Sequence, residues 1–215
     1  MNSIRTSAED AREAADKSLF EAISNDIATD GYSVRCNVLG PDLLAGLSSH
    51  VQNMDPSSFK KAGVGRKQQH SLNNLVRTDE ICWISGDSEA ESAWIKWAES
   101  LQRYLNRSMF LGLFSFESHF AHYAKGDFYK KHQDSFKGEA NRVLSIVVYL
   151  NKEWLADDGG ELLIYQKDIN QNPKKVVPSY GTVVAFLSEE FPHEVLPAKR
   201  DRFSIAGWYR VNTIA

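Results

Sequence analysis

Apolar residues recur at helical spacing through the first half of the chain and at every second position through much of the second half. Leu19, Phe20, Ile23 and Ile27 fall on one face of a helix that Ser7 caps and Gly31 stops. A short alternating stretch, Tyr32 to Val38, follows. Gly40-Pro41-Asp42 then opens a second helix with Leu43, Leu44, Leu47 and Val51 turned inward. A third helix is expected over about Glu91 to Asn106, with Trp94, Trp97, Leu101 and Leu105 at helical spacing, a pattern that core packing explains.

From Phe114 onward the period changes to two. Strands are expected at Ser115–Tyr123, Phe128–Gln133, Arg142–Tyr149, Glu161–Tyr165, Thr182–Phe186, Glu194–Pro197 and Phe203–Arg210, punctuated by Gly126, Gly138, Gly159-Gly160, Pro173 and Gly181. Many short, evenly spaced strands argue for a sandwich or barrel, and helices first with strands later make an α+β chain whose helices brace one face of the β unit. Between Pro56 and Arg77 the pattern disappears into a run with two glycines and a cluster of Lys and Arg, read as a mobile loop at about 57–78. A strand at 79–84 follows it. Residues 1–109 are thus expected to form a helical support and residues 110–215 the β core, in one integrated domain.

Composition narrows the choice of partner. The chain has 215 residues, 42% of them hydrophobic, and a net charge of -3. A core of useful size is available, and the basic excess expected of a nucleic-acid binder is missing. No apolar run approaches a membrane span, the first twenty residues lack the apolar stretch of a signal peptide, and Cys36 and Cys82 stand isolated. The reading is a cytoplasmic protein with two packed thiols and neither nucleic acid nor membrane as partner.

His132-Gln133-Asp134 ends a strand-like run, and residues two apart on a strand share a face, so imidazole and carboxylate project together. By itself that pair is weak evidence. His193, in Phe-Pro-His-Glu-Val-Leu-Pro, strengthens it: two neutral imidazoles and one carboxylate on a face leave three positions open on an Fe(II) ion. Two would take a 2-oxo acid and the third dioxygen. Arg202 opens the run Arg202-Phe-Ser-Ile-Ala-Gly-Trp208, where alternation puts Arg202, Ser204, Ala206 and Trp208 on one face with room beside the guanidinium. A planar guanidinium fork is suited to the distal carboxylate of 2-oxoglutarate. Tyr149 ends the apolar run Val-Leu-Ser-Ile-Val-Val-Tyr, is placed with Arg142 on one face with Val143 opposite, and can donate to the same carboxylate.

The stretches HYAKGDFYKKHQD, RVLSIVVYLNKEW, GGELLIY, FPHEVLP and DRFSIAGWY together resemble the prolyl 4-hydroxylase branch of the Fe(II)/2-oxoglutarate-dependent oxygenases, above all bacterial relatives of the animal oxygen-sensing prolyl hydroxylases. The resemblance is strong from about 110 to 210 and extends upstream through AGVGR and RTDEICWI. It implies a double-stranded β-helix (jelly-roll) core with N-terminal helices on its major sheet. It also implies Fe(II) on His132, Asp134 and His193, and 2-oxoglutarate on Arg202 and Tyr149 with Tyr123 in the pocket. Dioxygen would be the oxidant and ascorbate a reductant. Tyr129, Arg142 and Trp208 match positions around the substrate mouth, and Arg77 and Asp79 a polar pair at the base of a loop that folds over bound peptide, with an Asp79–Arg142 salt bridge expected. The implied activity is hydroxylation of a proline in a protein substrate, such as translation elongation factor Tu, with release of succinate and carbon dioxide. Two other readings compete: an oxygenase acting on a free amino acid or small metabolite, and a binding or sensing protein without turnover. His119 and His122 should face opposite sides of a strand, one in the core and one near the pocket rim, and His50 and His70 lack partners at ligand spacing.

Overall fold

The computed structural model describes residues 2–63, 75–135, 141–166, 168 and 170–212. In chain order the elements are α1 (Asn2–Asp30), β1 (Tyr32–Arg35), α2 (Pro41–Asn53), β2 (Lys60–Lys61), β3 (Glu80–Trp83), α3 (Glu89–Met109), β4 (Ser115–Tyr123), β5 (Tyr129–His132), β6 (Arg142–Tyr149), β7 (Leu162–Ile164), β8 (Lys174–Val176), β9 (Val183–Leu187), β10 (His193–Val195) and β11 (Arg202–Arg210). They form a seven-stranded sheet, ordered β1-β9-β6-β11-β4-β3-β2, and a four-stranded sheet, β5-β10-β7-β8, with every strand pairing antiparallel. This is the double-stranded β-helix with helical support that the sequence led us to expect.

The large sheet has two faces of different character because its strands alternate. Phe120, Leu144, Ile146, Val148, Ile205 and Tyr209 point to the helices and join one core with Ile23, Leu47, Trp94 and Leu101. The helices are fixed by polar contacts as well: Trp94 Nε1 donates to Ser118 Oγ at 3.0 Å, and Tyr209 Oη donates to the Ala98 carbonyl at 3.0 Å. Glycine at 207 is required there, since a Cβ would lie 2.8 Å from the Phe116 ring. Gly31 ends α1 at φ +80°, its N–H on the Ile27 carbonyl, as its position after the last apolar residue predicts.

The opposite face looks toward the small sheet, and the register lines its side chains up in rows. Tyr123 stands beside Arg202; Ala121, Ser204 and Tyr149 form the next row; Trp83, His119, Ala206 and Val147 the next; Trp208, Ser145 and Phe186 the last. Arg142 and Tyr149 are seven positions apart, so a regular strand would put them on opposite faces. The β6–β11 register slips between Tyr209 and Arg210, which leaves Val143 packed on the helix side and brings Arg142 over Trp208.

Several expectations need correction, beginning with the two packed thiols: Cys36 is exposed and Cys82 half-buried. Helix α1 starts at Asn2, so Ser7 lies inside it and not at its cap; neither Gly nor Pro in residues 2–6 stops the helix earlier. Strand β8 was not foreseen, because Lys-Lys-Val has one buried apolar residue and so no visible period. Of the loop expected at 57–78, residues 64–74 lie outside the described residues, and its first part holds a 3₁₀ turn, Pro56–Ser58, and β2.

Candidate metal centre and co-substrate pocket

His132 ends β5, Asp134 follows two residues later, and His193 opens β10 directly opposite His132 in the strand pairing. The strands thus deliver two imidazoles and a carboxylate to one point. His132 Nε2 is 3.7 Å from Asp134 Oδ1 and His193 Nε2 is 3.7 Å from Asp134 Oδ2, and the three donor atoms lie within 4.8 Å of one another. Each ring is turned by its own backbone: His132 Nδ1 sits 2.8 Å from the Lys130 carbonyl and His193 Nδ1 3.0 Å from the Phe191 carbonyl. A carbonyl only accepts, so both Nδ1 atoms carry the proton and both Nε2 lone pairs face the shared point. Asp134 Oδ2 accepts a 2.6 Å hydrogen bond from Ser145, which in turn contacts Ser188 Oγ at 2.9 Å.

The electrostatics favour a metal in place of protons. Burial, reinforced by the neighbouring His193, pushes the His132 imidazole down to about 3. Burial alone would raise the Asp134 carboxyl, but the two imidazoles and the Ser145 and Trp208 hydrogen bonds outweigh it and hold the group below the ordinary carboxylate range. Two neutral imidazoles and an ionised carboxylate opening onto a cavity are a donor set that fits Fe(II).

That cavity measures about 810 Å³ and runs between the two sheets along the rows described above. At its far end Arg202 is 2% exposed. Its guanidinium carbon lies 4.8 Å from the Tyr123 ring and 5.0 Å from the Tyr149 ring. Among the described residues its hydrogen bond partners are neutral, Ser204 Oγ at 3.4 Å and the nearby Tyr149 hydroxyl, and Arg202 Nε is left without a partner. A buried cation and a buried phenol with spare donors form a cradle for an anion. Burial raises both phenols, Tyr123 well above its usual value, so they stay protonated and able to donate.

At the near end Arg77 bonds Asp79 through two N–H groups, at 2.8 and 2.6 Å, and lies 4.2 Å from the Tyr129 ring, which stacks on His132 with centroids 3.5 Å apart. Arg142 lies 3.8 Å from the Trp208 ring and donates to Glu117 at 2.8 Å, where Arg210 also donates. The expected Asp79–Arg142 salt bridge is therefore replaced by two others. Asp79 is fully buried and takes the arginine two residues away on its own strand side, while Arg142 reaches the carboxylate nearest to it across β4 and β11.

One position in this site, Ser145, is missing from the sequence reading. A lone serine in the apolar run Val143–Val148 is the signal that could have found it. His119 is both buried and on the cavity wall, and burial, aided by Arg77 and Arg142, pushes it down to about 3. His122 faces the other way, stacked on Phe203 and 3.5 Å from Asp201. His50 pairs with Glu91 at 3.5 Å, and His70 lies outside the described residues.

Comparison with known proteins agrees with this geometry. A family model for the 2OG-Fe(II) oxygenase superfamily matches residues 118–210. The crystal structure of a Pseudomonas putida prolyl-4-hydroxylase is 36% identical, with a TM-score of 0.81, over 90% of this chain and 99% of that one. The chain belongs to the 2OG-Fe(II) oxygenase superfamily. As a member of it, this oxygenase works with Fe(II), 2-oxoglutarate and dioxygen, and it is a dioxygenase with prolyl hydroxylases among its homologues. A prolyl hydroxylase from Trichoplax adhaerens, solved with a hypoxia-inducible factor oxygen degradation domain peptide, is 27% identical with a TM-score of 0.81, over 91% of this chain and 90% of that one. The hypoxia-inducible factor prolyl hydroxylase of Caenorhabditis elegans is 27% identical over 192 residues, 83% of this chain but 26% of that protein, so the oxygenase spans about a quarter of that relative's length. No helix among the described residues is long and apolar enough to cross a membrane.

Proposed function

We propose that this oxygenase hydroxylates a proline, at C4, in a protein substrate, releasing succinate and carbon dioxide. His132, Asp134 and His193 hold Fe(II), and Arg202 and Tyr149 receive the distal carboxylate of 2-oxoglutarate beside Tyr123. When bound, iron would let dioxygen act as the oxidant, one oxygen atom going to the ring C–H to give C–OH and the other to 2-oxoglutarate, which is oxidised to succinate and carbon dioxide. The chain supplies the orientation. Ser145 fixes the Asp134 carboxylate, and the Lys130 and Phe191 carbonyls fix the two imidazoles.

The observation that carries this reading is Arg202, a guanidinium at 2% exposure with no acidic partner among the described residues, closing the cavity onto which the triad opens. A cation there selects a dicarboxylate. Support for a polypeptide as the second substrate comes from the mouth, where Arg77, Tyr129, Arg142 and Trp208 line the cavity with cations and flat rings, Asp79 being buried behind Arg77. Similarity to two prolyl hydroxylases over most of their lengths points the same way. Translation elongation factor Tu is our candidate substrate, with ascorbate as reductant.

The test is mass spectrometry of proteins captured by the enzyme, with and without added iron. One oxygen gained at a proline, in step with succinate formation, is the expected result. Succinate formed without any oxidised proline would leave an oxygenase acting on another substrate. Replacing His132 or Asp134 with alanine should abolish both products, and turnover retained by either variant would remove the triad from the reaction.

A further inference from the structure

The row Trp83, His119, Ala206 and Val147 lies between the Arg202 end of the cavity and the Trp208–Ser145 row that supports Asp134. Three of its members are apolar. The fourth is an imidazole at 3% exposure, on the cavity wall, whose Nδ1 is buried without a hydrogen-bond partner. It is held edge-on by Trp83, ring centroids 5.1 Å apart at 77°, and lies 5.4 Å from the Trp208 ring.

A buried polar atom left unpaired is destabilising, and an aliphatic side chain would fill this place without that cost. The fold does not need the nitrogen. The two-fold, shallow torsion about Cβ–Cγ of an imidazole allows the nitrogen to turn to the cavity. The surroundings say what it would meet there. Trp83 is 52% exposed and carries the row from His119 out to the surface, so whatever contacts His119 extends out of the cavity past an indole. An extended chain entering the cavity past Trp83 would meet the imidazole from the surface side.

We propose that His119 is a substrate-positioning residue, a neutral imidazole that hydrogen-bonds the backbone of the polypeptide beside its target proline while Trp83 packs against the flanking residue. The inference rests on the prolyl reading above and names how that substrate is read. Being uncharged, the imidazole can take an amide N–H or give to a carbonyl without competing for the carboxylate of 2-oxoglutarate.

The test uses the iron-loaded enzyme and an array of peptides with one fixed proline and varied flanks, scored by oxygen gained at the proline. His119→Leu should lower kcat/KM on the best peptide at least tenfold, mainly through KM. The Tm of this variant should be equal to or higher than that of wild type. His119→Gln, which keeps a hydrogen-bonding group, should recover most of the loss. Unchanged peptide kinetics in the leucine variant would overturn the proposal, as would a loss accompanied by a raised 2-oxoglutarate requirement or a fallen Tm. If the wild-type enzyme consumes 2-oxoglutarate but oxidises no peptide, the prolyl reading fails and the proposal with it.

Discussion

Ser145 donates a 2.6 Å hydrogen bond to Asp134 from within β6, a strand otherwise built of apolar residues between Val143 and Val148. The contact joins the small sheet's metal-facing end to the large sheet and fixes which carboxylate oxygen is left for a metal. Replacing Ser145 with alanine should weaken iron binding about tenfold to a hundredfold with little change in fold. Titration of the apoprotein with Fe(II) under nitrogen measures it, and an unchanged affinity would mean that Asp134 is oriented by Trp208 alone.

Arg202→Leu should raise the 2-oxoglutarate requirement by about two powers of ten, since a charge-assisted bidentate contact to a buried carboxylate is lost. The same variant should be no less stable than wild type in urea, because no acidic partner among the described residues is stranded by the change. A large loss of stability would show that the guanidinium has a structural partner within the chain.

Arg77→Ala should behave in the opposite way. Asp79 has a fully buried side chain and takes both of its strong hydrogen bonds from Arg77. Removing the arginine leaves a buried carboxylate alone, a change that costs about 3–5 kcal/mol. Chemical denaturation should show that loss for Arg77→Ala and a smaller one when Asp79→Asn is added.

Much of this was legible from the residues. Arg202 could be placed because a charged residue in a strand of small and apolar neighbours has one reason to face inward. The helix faces could be placed because Leu, Ile and Trp recur at helical spacing. Arg77 and Asp79 are a polar pair as the resemblance implies, but the salt bridge of Asp79 goes to Arg77 and not to Arg142, since spacing along a chain does not say which of two arginines reaches a buried carboxylate. Arg142 lies on the cavity side only through a bulge, and a bulge is an interruption of the very period that sequence reading relies on. Strand alternation separated His119 from His122 correctly, but it does not say which of the two faces the cavity.

Acid should destabilise the protein, and His119 should account for part of the effect. Its folded value is about 3 against 6.5 for a free imidazole, so the unfolded chain binds the extra proton between those values. The stabilisation is complete above pH 6.5 and is lost as the pH falls toward 3. A tenfold change in a proton-binding equilibrium corresponds to about 1.4 kcal/mol, so between pH 7 and pH 4, with chelator present, His119→Leu should lose about 3 kcal/mol less than wild type. Parallel urea midpoints for the two proteins would contradict the burial of a neutral ring at 119.

Arg202 carries one more consequence. The fold supplies a buried cation and leaves its counter-charge to be brought by a small metabolite, so the co-substrate is also a missing part of the interior. Any ligand that binds the folded chain alone makes unfolding rarer in proportion to its concentration. In a cell, the lifetime of this chain would then follow the supply of 2-oxo acid, and abundance as well as turnover would register how well carbon metabolism is running.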